Sequence, residues 1–149
     1  LKEVRDEGLV FFTNYNSAKG KSIAASDAVS ALFFWREQER QVRVTGVVEK
    51  ISKEESEAYF NTRPYLSQIG AAASEQSEPI ESREALEAKF ESFISKHPEG
   101  DAVPMPSDWG GYIIRPTSYE FWQGREGRLH DRLVYTQTDG VWSTHRIQP

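Results

Sequence analysis

The chain of 149 residues contains no cysteine. That excludes disulfide scaffolds, thiolate metal sites and cysteine nucleophiles together. Basic charge is also scarce: 18 Lys and Arg stand against 23 Asp and Glu, a formal net charge of −5. A general nucleic-acid or anionic-membrane binder carries the opposite balance, so neither partner is expected. No apolar run approaches the roughly 20 residues of a spanning helix. No signal-peptide pattern is visible, and a cytoplasmic location is expected. The three histidines, His97, His130 and His145, lack metal-ligand spacing, so no metal is expected. The GxSxG, HExxH and GxGxxG motifs are missing too.

Aromatic residues are plentiful: four tryptophans, six tyrosines and eight phenylalanines, enough to fill the core of one domain of this length. Gly8–Asn14 reads as a buried strand, being rich in β-branched and aromatic residues. Residues 14–25 are small and polar and read as a loop entering a short helix. Strands follow at 29–35 and 41–51. Ser52-Lys53-Glu54-Glu55 is a capping box, opening a helix that runs to about Thr62, before Pro64. A further short helix is expected at 67–73. Ser82 caps a longer one whose apolar stripe is Leu86, Phe90, Phe93 and Ile94. Residues 103–108 form a linking loop. Strands are expected at 111–115, 119–123 and 128–138, and Asp139-Gly140 signals a tight hairpin into 141–146. Six or seven strands with a few short helices indicate an antiparallel barrel or an α+β domain.

Residues 120–132 concentrate three arginines, a histidine and a tryptophan in an acidic chain. If 128–134 is a strand, Arg128, His130 and Arg132 share one face. Such a cluster suits a phosphate or carboxylate ligand, which arginine grips with two parallel hydrogen bonds. It equally suits a solvated strand face with carboxylates opposite. Thr13, Asn14, Ser17, Lys19 and Lys21 follow a strand end, where a phosphate can be held, but the P-loop spacing is absent, and an ordinary polar turn reads as well. Tyr59, Arg63 and Ser67 make a second anion site or a plain helix end. Gln41, Gln76 and Ser77 sit near element ends.

Taken in order, a series of motifs resembles the pyridoxine/pyridoxamine 5′-phosphate oxidase family. They are Val10-Phe11-Phe12-Thr13-Asn14, Glu39-Arg40-Gln41-Val42, Tyr59-Phe60 with Arg63-Pro64, Ser67-Gln68-Ile69-Gly70-Ala71, Gln76-Ser77, Trp109-Gly110-Gly111, Glu120-Phe121-Trp122-Gln123-Gly124, Arg128-Leu129-His130-Asp131-Arg132 and the ending Arg146-Ile147-Gln148-Pro149. The resemblance implies a mainly β (α+β) fold, a split antiparallel β-barrel with short peripheral helices, working as a homodimer with FMN at the subunit interface. It implies that Phe12, Thr13, Lys19, Gln41, Gln76 and Ser77 contact FMN, with Trp122 and Arg132 reaching it from the partner. Lys2, Tyr59, Arg63 and Ser67 would hold the substrate phosphate. Arg128 and His130 would lie over the substrate ring as the catalytic pair. The implied reaction is oxidation of pyridoxine or pyridoxamine 5′-phosphate to pyridoxal 5′-phosphate, with O2 as acceptor and H2O2 as product.

Two departures from the family pattern stand out. Phe12 occupies a position where the family often has tyrosine, and Ala18 one where it commonly has arginine; Lys21 is a candidate replacement for that arginine. The chain opens on Leu1-Lys2, and reads as a single domain, 1–149, lacking the family's N-terminal helix and first strands. Other readings stay open: a split-barrel module that binds flavin or pyridoxal phosphate without catalysis, or an inactive partial chain of the oxidase.

Overall fold

The computed structural model describes residues 1–149. Seven strands form one antiparallel sheet. They are β1 (Glu3–Arg5), β2 (Gly8–Asn14), β3 (Ala28–Trp35), β4 (Arg40–Lys50), β5 (Trp109–Gln123), β6 (Asp131–Thr138) and β7 (Val141–Arg146). The order is β1-β2-β5-β4-β3, with β6 on β5 and β7 on β6. Four helices, α1 (Ala18–Ala25), α2 (Lys53–Thr62), α3 (Tyr65–Ala73) and α4 (Arg83–Lys96), complete the chain. The expected mainly β barrel with peripheral helices is what forms: the sheet curls into a half-barrel.

β2 shows why its sequence is continuously apolar. Leu9 and Phe11 join the cluster of Val44, Val48, Tyr112 and Ile114 inside the curl. Phe12, on the opposite face, packs with Phe60, Ile69, Val103 and Trp109 beneath the helices. Both faces are covered, so period-two alternation disappears. The helices form where their caps dictate. Ser52 Oγ accepts from Glu55 N at 3.0 Å and Ser52 N donates to Glu55 Oε2 at 3.3 Å, so the capping box is real. Ser82 Oγ accepts from Ala85 N at 3.2 Å. α3 begins at Tyr65, two residues earlier than its sequence suggests, because the Pro64 carbonyl accepts from both Ser67 N and Gln68 N.

Three sequence expectations are corrected. Residues 111–115 and 119–123 are not two strands but parts of one, β5, which runs through Pro116. β5 is handed from β2, which pairs as far as Ile114, to β6, which pairs from Ser118. Pro116 falls in that gap, where a missing N–H costs no ladder bond on the open side. On the other side Gly46 pairs with Pro116 and Thr45 with Ser118, so Thr117 is the extra residue of a bulge.

Secondly, β6 begins at Asp131, not at 128. Glu126–Arg128 is a short 3-10 turn in which Gly127 and Arg128 have φ of 65° and 62°. Two successive left-handed residues cannot continue a strand. Arg128 and His130 therefore lie in a loop, and the shared strand face with Arg132 does not exist. Thirdly, β1 is a three-residue strand too short to carry a periodic signal. The hairpin reading holds: Asp139 and Gly140 have φ of 51° and 79° between β6 and β7.

Candidate active site

A cavity of about 660 Å³ opens where the C-terminal end of β2 meets α2 and α3. β2 contributes Phe12 and Thr13; the end of α2 and its exit contribute Tyr59 and Arg63; the first turn of α3 contributes Ser67; and Lys2 closes one side. Helix spacing puts Tyr59 and Arg63 on one face, and the Pro64 turn brings Ser67 beside them. Four residues expected to hold a phosphate thus line one cavity with three of the expected flavin residues, Phe12, Thr13 and Gln76.

Aromatic rings shape its wall. Phe12 stacks on Tyr59 at 3.9 Å and on Trp109 at 5.3 Å between centroids. The Arg63 guanidinium lies 4.9 Å from the Trp109 ring centroid, a favourable cation–π geometry. Yet Arg63 Nη1 is buried without a hydrogen-bond partner, the one such side-chain nitrogen or oxygen in the chain. Burial without a carboxylate partner pushes the Arg63 pKa below its ordinary value. A buried, unpaired donor on a cation is costly until an anion meets it. This is the donor set of an anion site, and it fits a phosphate group.

Gln76 is aimed by its neighbours. Its Oε1 accepts from Thr13 Oγ1 at 3.3 Å and from Asn14 N at 3.2 Å. With the oxygen committed, the amide nitrogen is the atom left to offer a ligand as donor. Asn14 is fixed in turn, its Nδ2 donating to Asp108 Oδ2 at 2.9 Å. Sequence reading placed Asn14 in the turn but missed this supporting role, because its partner lies 94 positions away.

The remaining candidates lie elsewhere. Lys19 lies on the other face of β2, 5.9 Å from the Phe11 ring centroid, and lines a separate apolar cavity. Ser77, with φ of 73°, lines a small recess beside Gln76's cavity rather than the cavity itself. Lys21, the candidate replacement for the family arginine at position 18, is tied to Glu78 at 2.6 Å.

Gln41, Trp122 and Arg132 form a cross-strand row on β4, β5 and β6, each directly opposite the next. Side chains so paired point to one face. His130 packs on Trp122 with ring centroids 4.9 Å apart. Its Nδ1 accepts from Arg125 N at 3.1 Å, so the neutral ring carries its proton on Nε2, facing away from that bond. The loop is clasped by Asp131, which accepts from Arg125 Nε at 2.8 Å and from Arg146. Arg125 and then Arg146 hold its carboxyl below the usual range.

Within one chain this row is remote from the cavity. Phe12 pairs with Gly111, and Trp122 is eleven positions further along β5, roughly 36 Å of extended strand. One further residue escaped assignment. Glu120, two positions before Trp122, is buried, accepts from Arg132 Nε at 2.7 Å and also pairs with Arg43. The available signal was an acidic residue alternating in phase with Trp122 on a strand.

Comparison with known proteins identifies the family and the fold. Residues 2–97 match the family model described as pyridoxamine 5′-phosphate oxidase, and residues 109–149 the one described as the pyridoxine 5′-phosphate oxidase C-terminal dimerisation region. The pyridoxine/pyridoxamine 5′-phosphate oxidase of Nostoc punctiforme is 51% identical over 150 residues, covering all of this chain and 70% of that protein. The one of Paraburkholderia phymatum is 53% identical with the same coverage. Among solved structures, PhzG from Burkholderia lata, in complex with tetrahydrophenazine-1-carboxylic acid, superposes with a TM-score of 0.90 at 30% identity, over 99% of this chain and 72% of that one. A pyridoxamine 5′-phosphate oxidase-related, FMN-binding protein from Nostoc punctiforme superposes at 0.76 with 17% identity, over 100% and 76% of the two chains, a likeness of fold alone. The chain therefore belongs to the pyridoxine/pyridoxamine 5′-phosphate oxidase family of FMN-dependent, split-barrel oxidoreductases.

Proposed function

We propose that this chain oxidises pyridoxine 5′-phosphate or pyridoxamine 5′-phosphate to pyridoxal 5′-phosphate in a homodimer whose sites each draw on both subunits. Held in this site, FMN would supply the redox chemistry that couples oxidation at the substrate C4′ carbon to reduction of O2 to H2O2. The observation that carries the reading is the buried, unpaired Arg63 nitrogen in a cavity shared with Lys2, Tyr59 and Ser67. Those four residues are the phosphate clamp, and their binding energy fixes the substrate far from the reacting carbon.

Phe12, Thr13 and Gln76 hold FMN from the same side of the cavity. Gln41, Trp122 and Arg132 are too far along the sheet to reach it from their own chain. A two-fold dimer brings the partner's row to the cavity and completes the site. Ser77 contributes to FMN binding from the recess beside the cavity, whereas Lys19, which lines a separate cavity, lies outside this set. Arg128 and His130, on the loop beside Trp122, then come over the substrate ring. Arg128 orients it, and the His130 Nε2–H donates a hydrogen bond on the C4′ side.

Anaerobic flavin spectroscopy tests this. The dimer loaded with FMN and mixed with pyridoxine 5′-phosphate should lose its visible flavin band. Arg63→Ala should bleach to the same extent but require on the order of tenfold more substrate or more, the loss of a charge-assisted hydrogen bond. Bound flavin that never bleaches would reduce the protein to a binding module. An unchanged substrate requirement would remove Arg63 from the clamp.

A further inference from the structure

We infer that Glu120 is a positioning residue that sets the guanidinium of Arg132 toward the flavin; this rests on the reading that Arg132 meets FMN. Glu120 lies on β5 two positions before Trp122, so the two side chains share a face of the sheet. Its side chain is only 9% exposed, against 26% for Arg132 and 45% for Arg43. A buried carboxylate needs partners for both oxygens, and this one has them. Oε1 accepts from Arg132 Nε at 2.7 Å, and Oε2 accepts from Arg43 Nη2.

The pairing has a consequence for direction. Arg132 is held a second time where Nη1 donates to the Gln148 carbonyl at 3.2 Å. Of its five N–H donors, Nε–H and one on Nη1 are thereby committed, and both on Nη2, with the second on Nη1, are left for a ligand. The planar fork allows no independent rotation of its nitrogens. Fixing two of them fixes the third, beside Trp122 and in the row with Gln41. An unanchored arginine would have to lose rotamer freedom when the flavin binds, and here that loss is met on folding. The cluster of two guanidiniums and one carboxylate also keeps one net positive charge at the row. Arg43, opposite Glu120 on β4, occupies the second oxygen and keeps it from drawing Arg132 inward.

The test is a double-mutant cycle on FMN affinity, read from quenching of flavin fluorescence by the apo-dimer. Arg132→Ala alone should weaken FMN binding by tenfold or more. Glu120→Gln, which keeps shape but removes charge, should weaken it about tenfold, the equivalent of one charge-assisted hydrogen bond. In the Arg132→Ala background Glu120→Gln should change the dissociation constant less than twofold. A purely structural Glu120 would give the same factor in both backgrounds, which overturns the inference. Weakening by Arg132→Ala with none by Glu120→Gln also overturns it, while leaving the reading of Arg132 intact. No weakening by Arg132→Ala removes that reading and the inference together. If Glu120→Gln does not fold, Glu120→Asp carries the same cycle, since it keeps charge but shortens the reach.

Discussion

At the scale of single residues, conformation and chemistry are coupled most tightly at Arg128. A φ of 62° on a residue with a long side chain costs about 1 kcal/mol relative to glycine. The loop tolerates this because Asp131 clasps it on both sides, to Arg125 and Arg146. Backbone and side-chain roles are separable here. Arg128→Gly should retain or slightly raise thermal stability and keep FMN affinity, yet lose most turnover; Arg128→Ala should lose turnover far more than FMN binding. Equal loss of turnover and FMN affinity in Arg128→Ala would move Arg128 to a structural role. Glu120 gives a second prediction at this scale. Arg132 first and Arg43 second hold its carboxyl below the ordinary carboxylate value of about 4.5. A pKa depressed by folding stabilises the native state above the unfolded value and ceases to do so as pH falls through the folded one. The gap in unfolding midpoint between the parent chain and Glu120→Gln should be fully open near about pH 6 and close progressively below 4.5. A gap that does not change with pH would mean that the pair contributes nothing through charge.

At the scale of elements, β5 organises the molecule. One edge pairs with β4 along its length, while the other is divided between β2 and β6. The bulge opposite Gly46 sits at that division and re-aims the strand between the cavity end and the Trp122 end. A Cβ at Gly46 would lie 2.1 Å from the Arg115 carbonyl oxygen, a backbone atom that cannot swing aside. Gly46→Ala should therefore destabilise the fold by roughly 1–3 kcal/mol, seen as a lower melting temperature of the apo-dimer. An unchanged melting temperature would show that the bulge relaxes freely. Sequence reading found β2, the caps of α2 and α4 and the Asp139-Gly140 hairpin because each is encoded within a few residues. It divided β5 at Pro116 because the reason a proline is tolerated there is the absence of a neighbour, which no local pattern records. It extended β6 back to Arg128 because alternation of charge continued beyond the point where Gly127 and Arg128 turn the backbone.

At the scale of the whole molecule, the exposed apolar surface is informative. Leu32 and Phe34 on β3, Phe121 on β5, Leu129 in the loop and Val141 and Trp142 on β7 are all more than two-fifths exposed. Exposed apolar side chains in this number suit an interface, and the last four lie in the matched dimerisation region, 109–149. In the proposed dimer the cavity and the Gln41–Trp122–Arg132 row meet across such an interface. Complementation makes this measurable. Assayed at substrate and FMN concentrations that suffice for the parent but not for the variants, Arg63→Ala and Arg132→Ala dimers, each with little activity alone, should regain about a quarter of parent activity when unfolded and refolded together, since half the dimers are mixed and each mixed dimer has one intact site. No recovery would place both residues in a site made by one chain.

The sequence by itself determined the strand-rich class and the helix caps, because these depend on side-chain period and local hydrogen bonds. The grouping of Lys2 with Arg63, the commitment of Gln76 through Thr13 and Asn14, and the capture of Arg132 by Glu120 were decided only by the tertiary structure. Each joins residues from separate elements, and the sheet register that brings them together depends on burial across the whole fold.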